Sequence, residues 1–455
     1  MSAADIRAWD NQHHLHPWEA MWSFGGADRT VTSGGQGIYL YDDKGRRLID
    51  GPGGMWCVQI GHGRREMAAA IAEQAMRLSY NSPWGFANEP AARLARKLAE
   101  LSPGDLNTVM FTTGGSTAVD TALRFTQFYN NRLGRPEKKV VISRERSYHG
   151  STHLSASVSG RERFASWFDR ESKLVHFLPD VSSNLRPAGM GLEEWATRKA
   201  KDLEDAIRHA GADRVAAFIA EPILASGGVV IPAPGYHERC LEICRRHDVL
   251  FIADEVVTAF GRLGHWFAAK DVFGIEPDLI TCAKGLTSGY LPLGACLISD
   301  RLMAEVSGED HEQILFSNGY TYSGHPVCCA AALENIRIIE EEGLLEHVRA
   351  IAPHFAERLH ALRRHPIVGD TRGMGLVGCV EGRPQGPGDR FARDLEFGNR
   401  VDQACEERGL IVRPLVNMCV FSPPLVITED EIDAMFDILD TAIEDVSAGL
   451  QRLVG

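Results

Sequence analysis

Four groups of residues that could do chemistry follow apolar, strand-like runs in the middle of the chain. Lys284 ends the run DLITCAK, and Asp254 ends the run VLFIAD. The segment GGS (114–116) follows TVMFTT, and the segment SYHG (147–150) joins an aromatic ring to an imidazole. Since open α/β sheets bind ligands outside the carboxyl ends of their strands, we expect these groups to share one site.

Each of these groups also has an ordinary structural interpretation. A GGS turn is often only a tight turn, SYHG alone is typical of a polar loop, and Asp254 could cap a following helix. A carboxylate that ends a buried strand nevertheless needs a cation or several hydrogen-bond donors. A lysine that leaves a buried strand is poorly placed as a surface charge, and it suits a Schiff-base amine with a lowered pKa.

Together the four groups indicate pyridoxal 5′-phosphate as a cofactor. Small residues at a strand-to-helix turn can bind a phosphate at the positive end of the helix. An aromatic ring can cover the pyridine ring, a carboxylate can pair with its nitrogen, and a lysine can bind its aldehyde. The GGS turn has neither the GxxxxGK of a nucleotide-binding loop nor the GxGxxG of a dinucleotide site, so those ligands are not predicted.

The sequence resembles the class III (ω-amino acid) aminotransferases, a group of fold-type I pyridoxal-phosphate enzymes, over nearly its full length. The region around WCV (56–58) and Arg413 resembles the amine:pyruvate branch, which is related to taurine and β-alanine enzymes. At the phosphate turn the family commonly reads SGSEAN, whereas this chain reads GGSTAV (114–119). The matching stretches are DGPGGMWCVQIGHG (50–63), SYHGST (147–152), AAFIAEPILASGG (216–228), LFIADEVVTAFGR (250–262), DLITCAKGLTSGYLPLGA (278–295), YTYSGHP (320–326) and LIVRP (410–414).

The resemblance implies catalytic and cofactor-binding roles for the matching residues. Lys284 would hold the cofactor as a Schiff base and then move a proton between the substrate and the cofactor. Asp254 would keep the pyridine nitrogen protonated, and Glu221 would lie nearby and pair with an arginine on the substrate side. The other residues expected to contact the cofactor are Gly115, Ser116, Tyr148, Val256 and Thr321.

The resemblance also implies a substrate pocket that two subunits share. Arg413 would bind a substrate carboxylate bidentately or swing away from it, although a surface arginine after an edge strand would show the same pattern. Thr321 would reach the phosphate of the other subunit, which implies a homodimer or a tetramer with shared active sites. The pocket would be lined by Tyr148 and three tryptophans, namely Trp18, Trp56 and Trp84, the last contributed by the neighbouring subunit.

The expected reaction is a transamination in two halves. A primary amine or an ω-amino acid would give up its amino group, and a keto acid, with pyruvate the favoured one, would then accept it. An enzyme of the same fold that decarboxylates its substrate or moves an amino group within it is an alternative, and so is a catalytically silent cofactor-binding protein. The natural donor stays open among taurine, β-alanine, diamines and aryl amines.

The elements that must position these residues alternate between strand-like and helix-like patterns, which is typical of a parallel sheet covered by helices. The gap 284–293 is too short for a parallel crossover, so the last strand should be antiparallel. We therefore expect an α/β fold of type I, with a large domain at 67–331 and a smaller α+β domain from 1–66 and 332–455. The seven predicted strands are 108–113, 140–143, 173–177, 214–220, 249–253, 278–283 and 294–299.

Local patterns predict the main elements of the two chain ends. Residues 36–50 have two apolar runs around a DDKG turn and predict a β-hairpin. Residues 326–362 predict a helical stretch, and 386–394 predict a loop. Thr428 and Glu431 have the spacing of a capping box at the start of the last helix.

Composition limits the possible partners of the chain. Of its 455 residues, 44% are hydrophobic and 24% are charged, which is the usage of an ordinary globular protein. The net charge of −13 disfavours binding to nucleic acid and to anionic lipid surfaces. No run of 18 apolar residues is present, so no membrane-spanning segment is predicted.

Cysteine usage and the N-terminal residues indicate a cytoplasmic protein without a metal. The ten cysteines are scattered through the chain without a CxxC motif, which favours reduced thiols. The start MSAADIRAWDNQ lacks the apolar core of a secretory signal. His13, His14 and His16 are clustered, but they do not have the spacing of a known metal motif, and we predict no metal site.

Overall fold

The computed structural model describes residues 2–161, 166–308, 314–386 and 389–452. Within these ranges the strands form one seven-stranded sheet and two four-stranded sheets. The strands are β1 (Thr32–Gln36), β2 (Tyr39–Asp42), β3 (Arg47–Asp50), β4 (Thr108–Thr112), β5 (Val140–Arg144), β6 (Val175–Leu178), β7 (Val215–Ala220), β8 (Leu250–Asp254), β9 (Leu279–Cys282), β10 (Gly294–Ile298), β11 (Val368–Met374), β12 (Val377–Gly382), β13 (Leu410–Ile411), β14 (Arg413–Leu415) and β15 (Met418–Phe421).

The α-helices lie mostly between these strands and cover the faces of the central sheet. They are Ala3–His13, Gly53–Trp56, Arg65–Arg77, Glu89–Leu101, Gly115–Arg132, His153–Ser157, Leu192–Ala210, Tyr236–Arg246, Ala268–Asp271, Asp300–Val306, Pro326–Glu341, Leu344–Ala361, Arg390–Glu407 and Glu429–Arg452. None of the helices in the described ranges is long and apolar enough to cross a lipid bilayer.

The seven-stranded sheet has the order β4-β10-β9-β8-β7-β5-β6, and each of its strands overlaps one of the seven predicted runs, with β5, β6 and β8 ending one residue later than predicted. Strands β5 to β9 pair in parallel, and β10 pairs antiparallel with both β9 and β4, as the short gap before it predicted. The predicted α/β fold with one antiparallel strand is therefore confirmed. The carboxyl ends of the parallel strands meet at one edge, which brings the loops that follow them together.

The central strands are apolar because helices cover both of their faces. Every residue of β7, β8, β9 and β10 is buried, and alanine, valine, leucine and isoleucine dominate them. Burial of this kind stabilises the sheet by about 1.5–3 kcal/mol for each large apolar side chain. The rigid sheet is thus a firm base for polar residues placed just beyond its strand ends.

The two chain ends meet in a four-stranded sheet with the order β1-β2-β3-β13. The predicted hairpin at 36–50 is present, with Tyr39 opposite Ile49, and β13 pairs in parallel with β3. The other small sheet has the order β11-β12-β15-β14. The division into domains at 66/67 and 331/332 stays a prediction, and its second boundary falls inside the helix Pro326–Glu341.

Two local predictions near the C-terminus need correction. The predicted helical stretch 326–362 is interrupted, because Gly343 adopts a left-handed conformation with φ of +60° and separates two helices. The predicted loop 386–394 is wrong from Arg390 onward, since Asp389 accepts a hydrogen bond from the Ala392 amide and caps a helix there. Residues 387–388 of that loop lie outside the described residues.

The capping box of the last helix is confirmed. The Thr428 hydroxyl accepts a hydrogen bond from the Glu431 amide at 3.3 Å, and the Glu431 carboxylate accepts one from the Thr428 amide at 3.0 Å.

All ten cysteines carry free thiols, and nine of them are buried.

Candidate active site

Lys284 begins a short 3₁₀ helix (Lys284–Leu286) beyond the carboxyl end of β9. Its φ of +45° is left-handed, an arrangement that costs a residue with a side chain about 1–3 kcal/mol and often marks a functional position. Residue 285 must be glycine here, since a Cβ would lie 2.7 Å from Gln59 Nε2. Burial lowers the pKa of Lys284, and the charge of Arg413 adds to this effect, whereas Asp254 and Glu221 oppose it.

Asp254 ends β8, and its buried carboxylate has three hydrogen-bond partners. Oδ1 accepts from the Thr281 hydroxyl at 3.1 Å and from the Val256 amide at 3.2 Å. Oδ2 lies 2.6 Å from Nδ1 of His149, which is also buried. His149 Nε2 has no hydrogen-bond partner among the described residues. These contacts fix the carboxylate and keep it available for a cation.

The phosphate turn and the aromatic loop pack directly against each other. Gly115 begins an 18-residue helix whose preceding residue, Gly114, supplies no side-chain cap, so the positive helix end faces the turn. Ser116 Oγ accepts a hydrogen bond from the Ser151 amide at 3.1 Å. A Cβ on Gly150 would lie 2.7 Å from Ser116 Oγ, and a Cβ on Gly115 would lie 2.9 Å from a methyl group of Val256. Small residues are therefore required where these loops meet.

Where the chain departs from the SGSEAN pattern, Thr117 makes two hydrogen bonds within the turn, and an acidic residue, Asp120, lies one helical turn later. The Thr117 hydroxyl donates to the Gly114 carbonyl at 2.8 Å and accepts from the Thr113 amide at 3.2 Å, which closes the turn. One turn later, Asp120 accepts hydrogen bonds from the Thr152 hydroxyl and the Ser155 amide. Burial raises the pKa of Asp120. These hydrogen bonds close the turn in this chain, which has Thr117 where the family commonly has glutamate.

Glu221 follows β7 and is held by backbone amides. Its carboxylate accepts from the Tyr148 amide at 2.9 Å and from the Ala225 amide at 3.1 Å. Burial raises the pKa of Glu221, which the positive field of His149 partly opposes. Burial lowers the pKa of Arg161, a residue that the sequence did not single out, and the charge of Glu221 opposes this effect.

Trp56 brings the reactive lysine and the predicted carboxylate-binding arginine to one surface. Lys284 Nζ lies 5.7 Å and Arg413 Cζ lies 5.5 Å from the centre of its ring. The tryptophan is only 5% exposed and has a left-handed φ of +63°. Arg413 begins strand β14, which pairs with β15. Burial lowers the pKa of Arg413. An amine, a guanidinium and an aromatic face therefore border the same space.

Tyr148 and Trp18 pack against each other. Their ring centres are 5.7 Å apart in an edge-to-face arrangement, and the Tyr148 hydroxyl contacts Ser151 Oγ at 2.9 Å. Trp18 is 51% exposed and also has a left-handed φ of +63°. The two residues lie far apart in the sequence, and the fold brings them together.

Two predicted site residues are not brought to the others within a single chain. Trp84 is 91% exposed, and its backbone amide donates a hydrogen bond to Ser82 Oγ at 3.4 Å. Thr321 is exposed, and its carbonyl accepts from the Tyr80 hydroxyl at 2.9 Å. In the described part of the chain, no hydrogen bond, ion pair or ring contact joins Trp84 or Thr321 to Lys284 or Asp254.

Comparison with known proteins decides the family. The family described as Aminotransferase class-III matches residues 26–443. The chain is a class III aminotransferase. A putrescine–pyruvate aminotransferase of Pseudomonas aeruginosa is 37% identical to it over 98% of both chains. A chloroplastic gamma aminobutyrate transaminase of Solanum lycopersicum is 37% identical over 100% of this chain and 88% of the relative.

Solved structures support the same assignment. A thermostable (S)-enantioselective omega-transaminase from Thermomicrobium roseum superimposes with a TM-score of 0.93 and 35% sequence identity, covering 98% of this aminotransferase and 99% of that chain. The predicted family and its fold type I are therefore confirmed.

Class III aminotransferases depend on pyridoxal phosphate, and the residues of this aminotransferase fit that group. The uncapped helix at Gly115 suits a phosphate, and a Cβ on the preceding Gly114 would meet no atom within 4 Å, which leaves open space at the turn. The fixed Asp254 carboxylate suits a protonated pyridine nitrogen, and the lowered pKa of Lys284 suits bond formation with an aldehyde.

Sequence reasoning missed three residues of this aminotransferase site. His149 was noted in SYHG without a role, and its place beside Tyr148 was the available signal. Thr281 pairs with Asp254 across the parallel strands, so the strand order would have revealed it. Arg161 follows no motif, and only the folded loop places it at the aromatic rings.

The histidines near the N-terminus surround a carboxylate. His14 Nδ1 lies 3.2 Å and His16 Nε2 lies 2.9 Å from Asp10 Oδ1, and Arg29 also donates to Asp10. The hydrogen bond from His16 is the main cause that lowers the pKa of Asp10. The absence of a metal from the aminotransferase stays a prediction.

Proposed function

We propose that the chain transfers an amino group from a primary amine or an ω-amino acid to pyruvate by a ping-pong mechanism. The observation that carries this proposal is the position of Lys284 and Arg413 over the same Trp56 ring, at 5.7 and 5.5 Å. A base and a carboxylate-binding cation then border one small space. A keto acid bound there through its carboxylate has its carbonyl carbon within reach of the base.

Lys284 is the base of the proposed reaction. When bound, pyridoxal phosphate supplies an electron sink that makes the hydrogen on the amine-bearing carbon acidic. Lys284 Nζ would take this proton from the donor carbon and pass it to the cofactor, and in the second half it would carry a proton from the cofactor to the carbonyl carbon of the acceptor. Because burial lowers its pKa, a larger fraction of the amine is unprotonated near neutral pH.

Asp254, Glu221 and the aromatic residues bind and orient in this proposal. The Asp254 carboxylate, fixed by Thr281 and His149, keeps a proton on the ring nitrogen. Val256 and Tyr148 would cover the two faces of the pyridine ring, and Gly115 and Ser116 would hold the phosphate. Glu221 orients Tyr148 through the backbone amide.

Arg413 distinguishes the two halves of the proposed reaction. It pairs bidentately with the carboxylate of pyruvate and moves aside for a donor without a carboxylate. The similarity to a putrescine–pyruvate aminotransferase supports pyruvate as the acceptor. The similarity to gamma aminobutyrate transaminases supports donors that carry a carboxylate far from the amine.

A donor panel tests this proposal. Purified holoenzyme is incubated with pyruvate and with putrescine, β-alanine, γ-aminobutyrate, taurine or 1-phenylethylamine, and alanine is measured by chromatography. Alanine should form with at least one donor, and a parallel series with 2-oxoglutarate ranks the acceptors. No alanine with any donor, or carbon dioxide release in place of alanine, would contradict the proposal.

We further propose a homodimer in which Thr321 and Trp84 complete the site of the partner subunit. Both residues are exposed, and they lie near other exposed aromatic side chains, namely Tyr80, Phe86 and Tyr322. Such a patch is typical of a surface that another protein covers.

Mixed subunits test the shared site. Lys284→Ala and Thr321→Glu subunits are each expected to have low activity, but a mixed dimer contains one intact site and should recover activity. A mixture of Lys284→Ala and Asp254→Asn subunits is the matched control, because both changes fall in the same site and no intact one forms. Equal recovery in both mixtures, or none in the first, would refute the shared site.

The compartment is also a proposal. Ten free cysteines, nine of them buried, suit a reducing environment such as the cytoplasm. Thiol titration of protein denatured directly from cells tests this, since ten reactive thiols per chain are expected and disulfide-linked pairs would contradict it.

A further inference from the structure

The turn that carries Lys284, residues 284–289, contains three left-handed residues, and we call it the lysine turn. Besides Lys284 with its φ of +45°, Ser288 has a φ of +50° and Gly289 a φ of +76°. Glycine adopts this conformation readily, but lysine and serine keep it only where the surrounding structure holds them. Contacts from outside the lysine turn must therefore maintain its conformation.

Asn335, in the helix Pro326–Glu341, supplies such contacts. Its Nδ2 atom donates to the Gly285 carbonyl at 2.8 Å and to the Leu286 carbonyl at 3.1 Å. Because Asn335 is 0% exposed, removal of its amide would leave buried carbonyl groups short of donors. One side-chain amide thus connects the helix to the two peptide groups that follow Lys284.

The oxygen of the same side chain holds the far end of the lysine turn. Ser288 Oγ donates to Asn335 Oδ1 at 2.5 Å, and it accepts from the Ile60 amide at 3.2 Å. The nitrogen end of the carboxamide therefore faces carbonyl acceptors, and its oxygen end faces a hydroxyl donor. This arrangement needs both a donor and an acceptor at residue 335, which asparagine provides and aspartate does not.

Other residues pack closely around the lysine turn and would keep it folded if these hydrogen bonds were lost. A Cβ on Gly285 would lie 2.7 Å from Gln59 Nε2 and 3.1 Å from the Cβ of Phe260. Gln59 is itself buried, and it donates to the Phe260 carbonyl at 3.2 Å. A substitution of Asn335 should therefore shift the lysine turn and not unfold it.

We propose that Asn335 is a positioning residue for Lys284, because it holds the lysine turn in the left-handed conformation that aims Nζ at the cofactor aldehyde. This inference rests on the proposed role of Lys284, but it does not depend on which amine and keto acid react. Without the two hydrogen bonds the turn would relax and Nζ would be displaced. A small displacement of a reacting group slows each step that uses it.

Capture of pyridoxal phosphate by the cofactor-free chain provides the first test. Asn335→Asp places an oxygen where the donor now faces two carbonyls. Asn130→Asp is the matched control, since Asn130 is also buried in a helix and donates to the Thr126 carbonyl at 2.9 Å. The rate of capture is followed by absorbance, borohydride reduction and peptide mass spectrometry locate the attached cofactor, and thermal unfolding is recorded in parallel.

Both aspartate variants should have a lower Tm, because each loses a buried hydrogen-bond donor. Only Asn335→Asp should slow capture at Lys284, by about tenfold or more. An unchanged rate in Asn335→Asp, or an equal fall in both variants, would overturn the proposal. Attachment at another lysine would contradict the role of Lys284 and with it this inference, whereas capture at Lys284 without alanine formation contradicts only the proposed reaction.

A milder substitution keeps the proposal testable if Asn335→Asp does not fold. Ser288→Ala removes only the hydroxyl that holds Asn335 Oδ1, and it should slow capture about threefold. Ser299→Ala is its control, because Ser299 is a buried serine that caps the helix Asp300–Val306. Equal capture rates in the two alanine variants would refute the positioning role.

Steady-state kinetics of the holoenzyme separate positioning from substrate binding. The side-chain hydrogen bonds of Asn335 in the described chain go to the lysine turn and not to Trp56 or Arg413. Asn335→Asp should therefore lower kcat about tenfold with every accepted donor and change KM by about threefold or less. A raised KM with an unchanged kcat would contradict the proposal.

Discussion

The cofactor side and the substrate side of the site are built in opposite ways. On the cofactor side, Asp254, His149 and Thr281 are buried and mutually hydrogen-bonded at the ends of central strands or in the loop after β5. On the substrate side, Trp18 and Trp84 are 51% and 91% exposed and come from segments outside the central sheet. In the proposed site, rigid strands would thus carry the chemistry, and loops from elsewhere in the chain would border the substrate.

This difference suggests how one reaction can serve many substrates. Substitutions in the loops change which amine or acid fits, and they leave the hydrogen bonds around Asp254 intact. Substitutions at the strand ends disturb a packed network, and every substrate should suffer alike. The following predictions test this contrast.

The largest effect is expected on the cofactor side from Lys284→Ala. Activity should fall by about 10⁴-fold or more with every donor, because the substitution removes the proposed base. Borohydride reduction followed by mass spectrometry measures the attached cofactor, which should be lost in this variant. Lys270→Ala, which changes a mostly exposed lysine, is the control. A Lys284→Ala chain that still gains the mass of the cofactor would show that another lysine binds it.

Asp254→Asn should lower kcat about 10²- to 10³-fold with all substrates, because it removes the charge that stabilises the ring nitrogen proton. Thr281→Val removes one hydrogen bond to that carboxylate and should cost only about tenfold or less. Steady-state rates with two unlike donors measure both. A fall in kcat that differs between the two donors would contradict the proposed difference between the cofactor side and the substrate side.

Arg413→Gln should lower activity toward a substrate with a carboxylate much more than activity toward a substrate without one. The kcat/KM for pyruvate should fall about 10- to 100-fold, because a bidentate ion pair is lost. The half-reaction with a carboxylate-free amine, followed in a stopped-flow spectrometer, should change much less. An equal fall in the two half-reactions would refute the movable carboxylate-binding role.

The smallest effect is a shift of the Lys284 pKa, with opposite signs in two variants. Arg413 lowers this pKa and Glu221 raises it, so Arg413→Gln should raise it and Glu221→Gln should lower it. The rate at which cofactor-free chain captures pyridoxal phosphate is measured against pH, because only the unprotonated amine reacts. Shifts in the same direction would contradict the electrostatic account.

Much of the cofactor side could be predicted from the sequence because strand ends determine it. Lys284 and Asp254 each follow an apolar run that forms a buried strand, and the parallel arrangement puts both at one edge. The antiparallel direction of β10 followed from the length of a single gap. These features depend on local patterns, which a sequence displays directly.

The substrate side could be predicted only in part, because long-range packing of irregular segments determines it. Trp18 meets Tyr148 across 130 positions of sequence, and the resemblance to a family, not a local pattern, indicated it. Arg161 reaches the rings because Gly160 lets two backbones approach closely. The break between two helices at Gly343 could not be predicted either, because the helical pattern of the sequence continues through it. Only the structure shows that Gly343 has a left-handed φ.

The most direct test of the central claim is a single half-reaction without an acceptor. Holoenzyme is mixed with one amine donor alone, the cofactor absorbance is recorded, and one equivalent of pyruvate is then added. The account predicts that the donor alone changes the spectrum fully, that one carbonyl product forms per active site, and that pyruvate restores the spectrum while yielding one alanine. A spectrum that changes only when both substrates are present, or restoration without alanine, would contradict a ping-pong transaminase.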